Sequence, residues 1–184
     1  MAKVRKARAA DATAIARVYI ETWRSAYPGM LPKRVLIAMS VARQRAAWRH
    51  AIAAQRGSEA VLVAEEGGDR TIGFASCGRS RSRLHAYGGE IFTLYVLPDH
   101  QGRGHGRSLL RGCFGHLLAH RLGSALVWVL ADNPSRFFYE AMGGRRVAEM
   151  TEPLWGARVP QIAYGWPDLT HAVAAGGPCA DKVG

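Results

Sequence analysis

The sequence predicts an α+β fold, a central mixed sheet flanked by helices, and three stretches carry that prediction. Glu90 to Leu97 is rich in β-branched and aromatic residues and stops at Pro98, which cannot donate the next ladder hydrogen bond, so it reads as a largely buried strand. Gly102, Gly104 and Gly106 follow, and then apolar residues at helical spacing through Leu109, Leu110, Cys113, Phe114, Leu117 and Leu118. Ala125 to Ala131 is apolar throughout, as a central strand covered on both faces should be. Ala60 to Glu66 and Thr71 to Gly78 flank the turn-rich Gly67-Gly68-Asp69-Arg70 and read as a β-hairpin.

The remaining elements follow in chain order. Lys3 to Ala9 fits a first strand, and Asp11 is an N-cap candidate for an amphipathic helix with Ile15, Val18, Tyr19 and Trp23 as its apolar stripe. Tyr27-Pro28-Gly29-Met30-Leu31-Pro32 ends it, because two prolines and a glycine in six positions cannot continue a helix. A second helical stretch spans about Lys33 to Gln55. The helix behind the three glycines should reach about Leu122, with Gly123 as its stop. Asn133 to Met142 reads as a short helix, then Arg146 to Met150 and Val159 to Trp166 as two last strands with Trp155-Gly156 between them. From His171 the periodic pattern is lost, so the domain is placed at residues 1–168 and a frayed tail at residues 169–184.

Composition narrows the class. At 184 residues the chain suits one domain with a core that needs no disulfide or metal, and its 48% apolar content sets it apart from disordered chains. Cys77, Cys113 and Cys179 are odd in number and lack C-x-x-C spacing, which favours reduced core or tail thiols. The first residues carry charge without an apolar segment behind it, and no run is long enough to cross a bilayer, so the expected location is cytoplasmic and no membrane partner is expected. The net charge of +11 attracts polyanions, but the arginines are scattered along the chain rather than gathered in one stripe, which disfavours nucleic acid. The Ser80-Arg81-Ser82-Arg83 loop is the main exception.

A glycine-rich turn opening a helix can hold phosphate, since the first helical N–H groups have no partner inside the helix and the dipole is positive there. Arg103 and Arg107, four residues apart, would serve as cationic clamps. A P-loop needs G-x-x-x-x-G-K-[ST], which does not occur, and Gly102, Gly104 and Gly106 run G-x-G-x-G rather than G-x-G-x-x-G. The remaining pattern, Gln101-x-x-Gly104-x-Gly106 after a strand ending Leu94-Tyr95-Val96, resembles the acyl-CoA pyrophosphate loop of the GNAT superfamily of N-acyltransferases. A second motif agrees: Asn133 to Gly143 resembles the superfamily's N-x-x-A-x-x-F-Y-x-x-x-G helix, one residue shorter before Phe138-Tyr139 and with Arg136 in place of the usual alanine. Ala9 to about Trp166 can be laid onto the superfamily's order of elements.

The resemblance implies the GNAT-type fold and transfer of an acyl group, most often acetyl, from acetyl-CoA to a primary amine. An alkylammonium with pKa near ~10.4 must first lose a proton, worth roughly 4 kcal/mol at neutral pH. Glu90, four residues before Leu94, matches a glutamate that several members use as base, directly or through water. Tyr139 matches the tyrosine that protonates the leaving CoA sulfur. The backbone of Leu94, Tyr95 and Val96 would hold the pantetheine arm and polarise the thioester, with Asn133 beside it. Gln101, Gly102, Arg103, Gly104, His105, Gly106 and Arg107 would form the phosphate loop, His105 as a spacer that tolerates solvent. Trp23, Tyr27 and Trp155 are the acceptor-pocket candidates, and a homodimer is compatible with the family. No His, Cys, Asp or Glu cluster has metal-ligand spacing, so no metal is expected. Two rival readings are a non-catalytic acyl-CoA sensor on the same fold and a basic nucleic-acid-binding domain; the acceptor itself is not specified by these motifs.

Overall fold

A computed structural model describes residues 3–174 apart from residues 69, 83, 85 and 155. Seven strands form one sheet: β1 (Lys3–Lys6), β2 (Ala60–Glu66), β3 (Arg70–Arg79), β4 (Gly89–Val96), β5 (Ala125–Leu130), β6 (Arg145–Leu154) and β7 (Ala157–Trp166). Their order is β1-β2-β3-β4-β5-β7-β6, and every neighbouring pair is antiparallel except β4–β5. The expected mixed sheet is therefore present. The parallel pair is possible because helix α4 (His105–Ala119) carries the chain back across the sheet between β4 and β5.

Period-2 alternation, shifted in phase at Ile72 by a bulge opposite Ala64–Glu65, divides the side chains of the sheet between two cores. Leu62, Ala64, Ile72, Ala75, Cys77 and Ile91 face α4, where they meet Leu109, Leu110, Cys113, Phe114 and Leu117. Val61, Val63 and Phe74 point the other way, toward Ile15 and Val18 of α1 (Ala12–Ala26), with Trp48 and Ile52 of α3 (Val41–Ala53) packed alongside. Helix α4 lies close on the β1–β2 edge because Gly112 has no side chain: a Cβ there would stand 3.1 Å from both Leu62 and Val4. Cys77 and Cys113 are buried free thiols in the α4 core, and the hydrogen bond with Cys77, then burial, holds the Cys113 thiol well above its usual pKa; Cys179 lies outside the described residues.

Several boundaries differ from expectation, each for a local reason. The Lys33 to Gln55 stretch is two helices, α2 (Lys33–Ile37) and α3, because Ser40 is extended and its hydroxyl caps α3 at Arg43 N–H. Asp11 holds the N-cap position of α1 but makes no side-chain cap bond; its carboxylate instead accepts from Arg8 N–H at 2.6 Å and pairs with Arg5 at 2.7 Å across the 3-10 turn Ala9–Asp11. Helix α4 stops before Gly123. Arg121 takes the left-handed conformation (φ 60°), and Leu122 N–H donates to Leu117 O at 3.0 Å while Arg121 N–H donates to Leu118 O at 2.9 Å, a Schellman closure. The segment expected to begin the tail starts as α6 (Leu169–Ala174): Leu169 is fully buried, and Arg111 of α4 donates to Val173 O at 2.6 Å. Among the described residues no helix is long and apolar enough to cross a membrane.

Candidate active site

Strands β4 and β5 pair only through Gly89–Ala125, Glu90–Leu126 and Ile91–Val127. Beyond them β5 continues against β7, and β4 continues against β3 alone. The parting coincides with a bulge, where the β3 register passes from Ser76–Thr93 to Cys77–Ile91 and leaves Phe92 as the extra residue. Leu97 N–H donates to Ile72 O on β3 at 2.9 Å, so alternation turns the backbone groups of Leu94 and Val96 toward the opened gap. Gln101 ties the following loop to this edge, its side-chain amide donating to Val96 O at 2.9 Å.

The glycine loop is shaped as its composition requires. Gly102 (φ 73°) and Gly104 (φ 81°) are both left-handed, Gly104 is the residue that starts α4, and its carbonyl accepts Ser108 N–H at 3.0 Å. Gly106 stands under Phe138, whose ring a Cβ would approach to 3.4 Å. Gln101, Gly102, Gly104, Gly106 and Arg107 form one wall of a groove of about 570 Å³, and Pro134, Phe138 and Tyr139 the other. Arg103 is exposed and does not line this groove, whereas Arg107 does. His105 also departs from expectation: it is 4% exposed rather than open to solvent, and it turns away from the groove toward Glu66 and His100.

A second cleft, about 240 Å³, lies across β4 from the loop. Trp23 and Tyr27 at the end of α1 form one side, Val127 to Leu130 of β5 the other, and Asn133 and Gln161 add polar groups. The aromatic wall is continuous: Trp23 lies 4.9 Å from Tyr19 and 4.8 Å from Tyr27 between ring centroids, tilted against both. Burial raises the Tyr27 phenol, while hydrogen bonds from Tyr95 and Asn133 partly offset the shift. The Tyr95 side chain therefore belongs to this wall, edge-on to Tyr19 at 5.6 Å. Trp155 lies outside the described residues.

Leu94, Ser135 and Tyr139 line both cavities. Tyr139 is brought there by α5 (Arg136–Ala141), which the buried Asn133 starts by accepting Ser135 N–H at 2.9 Å on Oδ1. The helix closes through Gly144 N–H to Tyr139 O at 2.9 Å, at a position where a Cβ would stand 2.8 Å from the Trp166 ring. Tyr139 is buried against Phe138 and Trp166, and burial first, then the Tyr27 and Cys113 groups, holds its phenol well above the ordinary tyrosine value. It stays protonated at any pH near neutral.

Glu90 stands apart from this junction. It precedes the parting of the strands, does not line the cleft, and its Oε2 accepts from Arg81 N–H at 2.8 Å and the Ser80 hydroxyl at 3.4 Å. The loop singled out for its arginines is thus bound to the sheet, with Arg81 also over the Phe92 ring at 3.8 Å; Arg83 lies outside the described residues. Sequence reasoning missed Gln161, a cleft residue whose amide donates to Glu152 at 3.2 Å. Its signal was available: a polar residue opening the apolar run Ile162-Ala163-Tyr164, buried to 9% exposure. Glu66 and His100 carried no such signal.

Similar proteins agree with this architecture. The uncharacterized N-acetyltransferase YuaI of Bacillus subtilis (strain 168) is 35% identical over 170 residues, 92% of this chain and 95% of the relative. Among solved structures, YncA of Salmonella typhimurium, determined with its cofactor acetyl-CoA, superposes with a TM-score of 0.66 at 22% identity over 91% of this chain and 94% of its own. The PaiA N-acetyltransferase of Thermoplasma acidophilum, in complex with coenzyme A, gives 0.68 at 16% identity over 90% and 99%. Residues 17–144 match the acetyltransferase (GNAT) family, a span that holds the parted strands, the glycine loop and Tyr139 together. The chain belongs to that family.

Proposed function

We propose that this protein transfers an acetyl group from acetyl-CoA to a primary amine by direct attack, with Tyr139 at the point where the two substrates meet. The observation that carries the reading is the shared lining: one groove runs along a glycine loop and helix start, one cleft is aromatic, and Leu94, Ser135 and Tyr139 belong to both. The pyrophosphate is assigned to the first N–H groups of α4 and to Arg107, a cation lining the groove. The pantetheine arm is assigned to the parted edge of β4, through the Leu94 backbone and Val96 N–H, since Gln101 already occupies Val96 O.

In this scheme the amine nitrogen attacks the thioester carbonyl, the C–S bond breaks, and the thiolate departs with hydrogen-bonding help from the Tyr139 phenol. Burial keeps that phenol in its donor form. The ammonium proton passes to Glu90 through water, because the carboxylate does not line the cleft. Trp23 and Tyr27 select the acceptor.

A panel of amino acids, peptide N-termini and small amines, incubated with acetyl-CoA while free thiol is followed, tests the proposal. Thiol release that requires both partners is the expected result. Acetyl-CoA at about 100 times its dissociation constant should also stabilise the fold by roughly 2.7 kcal/mol, a melting shift on the order of 5–10 °C. A full shift with no turnover on any amine would replace the enzyme with a sensor, and no shift at all would remove acetyl-CoA.

A further inference from the structure

We propose that Glu66, His100 and His105 form a binding site for a zinc-type transition-metal dication behind the glycine loop. Their ligand atoms lie within 4.8 Å of one another although 34 residues or more separate Glu66 from the histidines in sequence. His100 Nδ1 is 2.8 Å from Glu66 Oε2, and His105 Nε2 is 3.6 Å from Glu66 Oε1. Both ring nitrogens are buried, on side chains 10% and 4% exposed, and neither has a hydrogen-bond partner among the described residues. His100 Nδ1 and Glu66 Oε2 stand 2.8 Å apart without hydrogen-bond geometry, so the ring nitrogen is left for another partner. A buried imidazole nitrogen left unpaired is costly, and a shared cation removes that cost at both rings.

The donor set selects the metal. Two imidazoles and one carboxylate suit zinc, cobalt or nickel, whereas magnesium and calcium prefer oxygen alone. Tetrahedral bonds of 2.0–2.2 Å place ligand atoms roughly 3.3 Å apart. The two nitrogens stand 2.8 and 3.6 Å from different oxygens of Glu66 and the ligand atoms spread over at most 4.8 Å, so the set must draw together on a cation; Glu66, 40% exposed, is the arm free to adjust and to leave a fourth position for water. The ligands come from the end of β2, from the 3-10 turn Pro98–His100, and from the first residue of α4. The bound ion would join both ends of the glycine loop from behind, leaving the groove-facing Gly104 and Gly106 clear. This inference stands on the cluster's geometry and holds whether or not the chain proves to acetylate amines.

The test is calorimetric titration of tag-free, chelator-stripped full chain with Zn2+, and with Co2+ for its four-coordinate visible absorption. One equivalent should bind and raise the melting temperature, and Glu66→Gln and His100→Gln should each weaken binding by at least about tenfold. His105→Leu, an apolar replacement of a buried ring, should abolish it; if that variant does not fold, the substitution at the exposed Glu66 decides. No binding by the folded wild type overturns the site. So does binding that survives Glu66→Gln and His100→Gln but is lost on His120→Ala, which would move the ion to the His116–His120 pair, whose rings are 4.4 Å apart.

Discussion

The groove along the glycine loop and the aromatic cleft share Tyr139 but are built in opposite ways. The groove is mostly main chain from one continuous stretch, Gln101 to Arg107, set against one short helix. The cleft gathers side chains from α1, β4, β5, the Asn133 turn and β7. A main-chain site depends on backbone conformation and admits few residues where φ is positive, while a side-chain site can be re-lined without disturbing its neighbour.

Four substitutions can break or sharpen the comparison, in decreasing order of effect. Gly104→Val should lower acetyl-CoA affinity by at least ~100-fold, since a β-branched residue is strained at φ 81° and its side chain would stand in the groove. Isothermal titration on the folded variant checks it, and near-normal affinity would mean the phosphate lies elsewhere. Glu90→Gln should lower kcat about 100-fold at neutral pH, the low end for a general base, since in the proposed scheme the carboxylate acts through water. Its deficit should shrink as pH rises and free amine becomes abundant. A deficit flat with pH would assign Glu90 to holding the Ser80–Arg81 loop.

Tyr139→Phe should slow turnover about tenfold with acetyl-CoA affinity nearly intact. The protonated phenol is the working form and its pKa is raised, so its help persists below that raised value and would be lost only above it. The ratio of wild-type to variant rates should therefore stay constant from about pH 6 to 10. A ratio that collapses near pH 8 would show a different group titrating. The smallest effect belongs to Tyr27→Phe. It removes a hydroxyl bonded to Tyr95 and Asn133, which should cost about 1 kcal/mol of stability and raise acceptor KM a few-fold, leaving acetyl-CoA affinity unchanged. An equal loss for both substrates would show the two sites to be one.

Legibility followed the same division. The loop glycines, the short helix expected over Asn133 to Met142 and found at Arg136–Ala141, and the strand before Pro98 were readable because each depends on neighbours in sequence. Reading Lys33 to Gln55 as one helix failed because Ser40 offered its hydroxyl to Arg43 N–H, a local competitor that apolar periodicity does not register. The stop expected at Gly123 was displaced because Arg121 adopted a conformation usually left to glycine, which allowed Leu122 to pack at 7% exposure.

By itself the sequence determined the order of strands and helices, the glycine loop that opens α4, and the phenol at residue 139, all set by periodicity, missing Cβ atoms and short-range turn chemistry. Only the tertiary structure decided what faces what. Where β4 leaves β5 depends on a bulge paired across to β3, so the gap that distinguishes Leu94 from Glu90 is absent from either strand read alone. His105 shows the same limit: in the chain it is a residue between two glycines, and its burial against Glu66 and His100 arises because the end of a distant hairpin packs behind the loop. Local chemistry shapes an element, but the partners of its side chains are chosen by the packing of elements far apart in the chain.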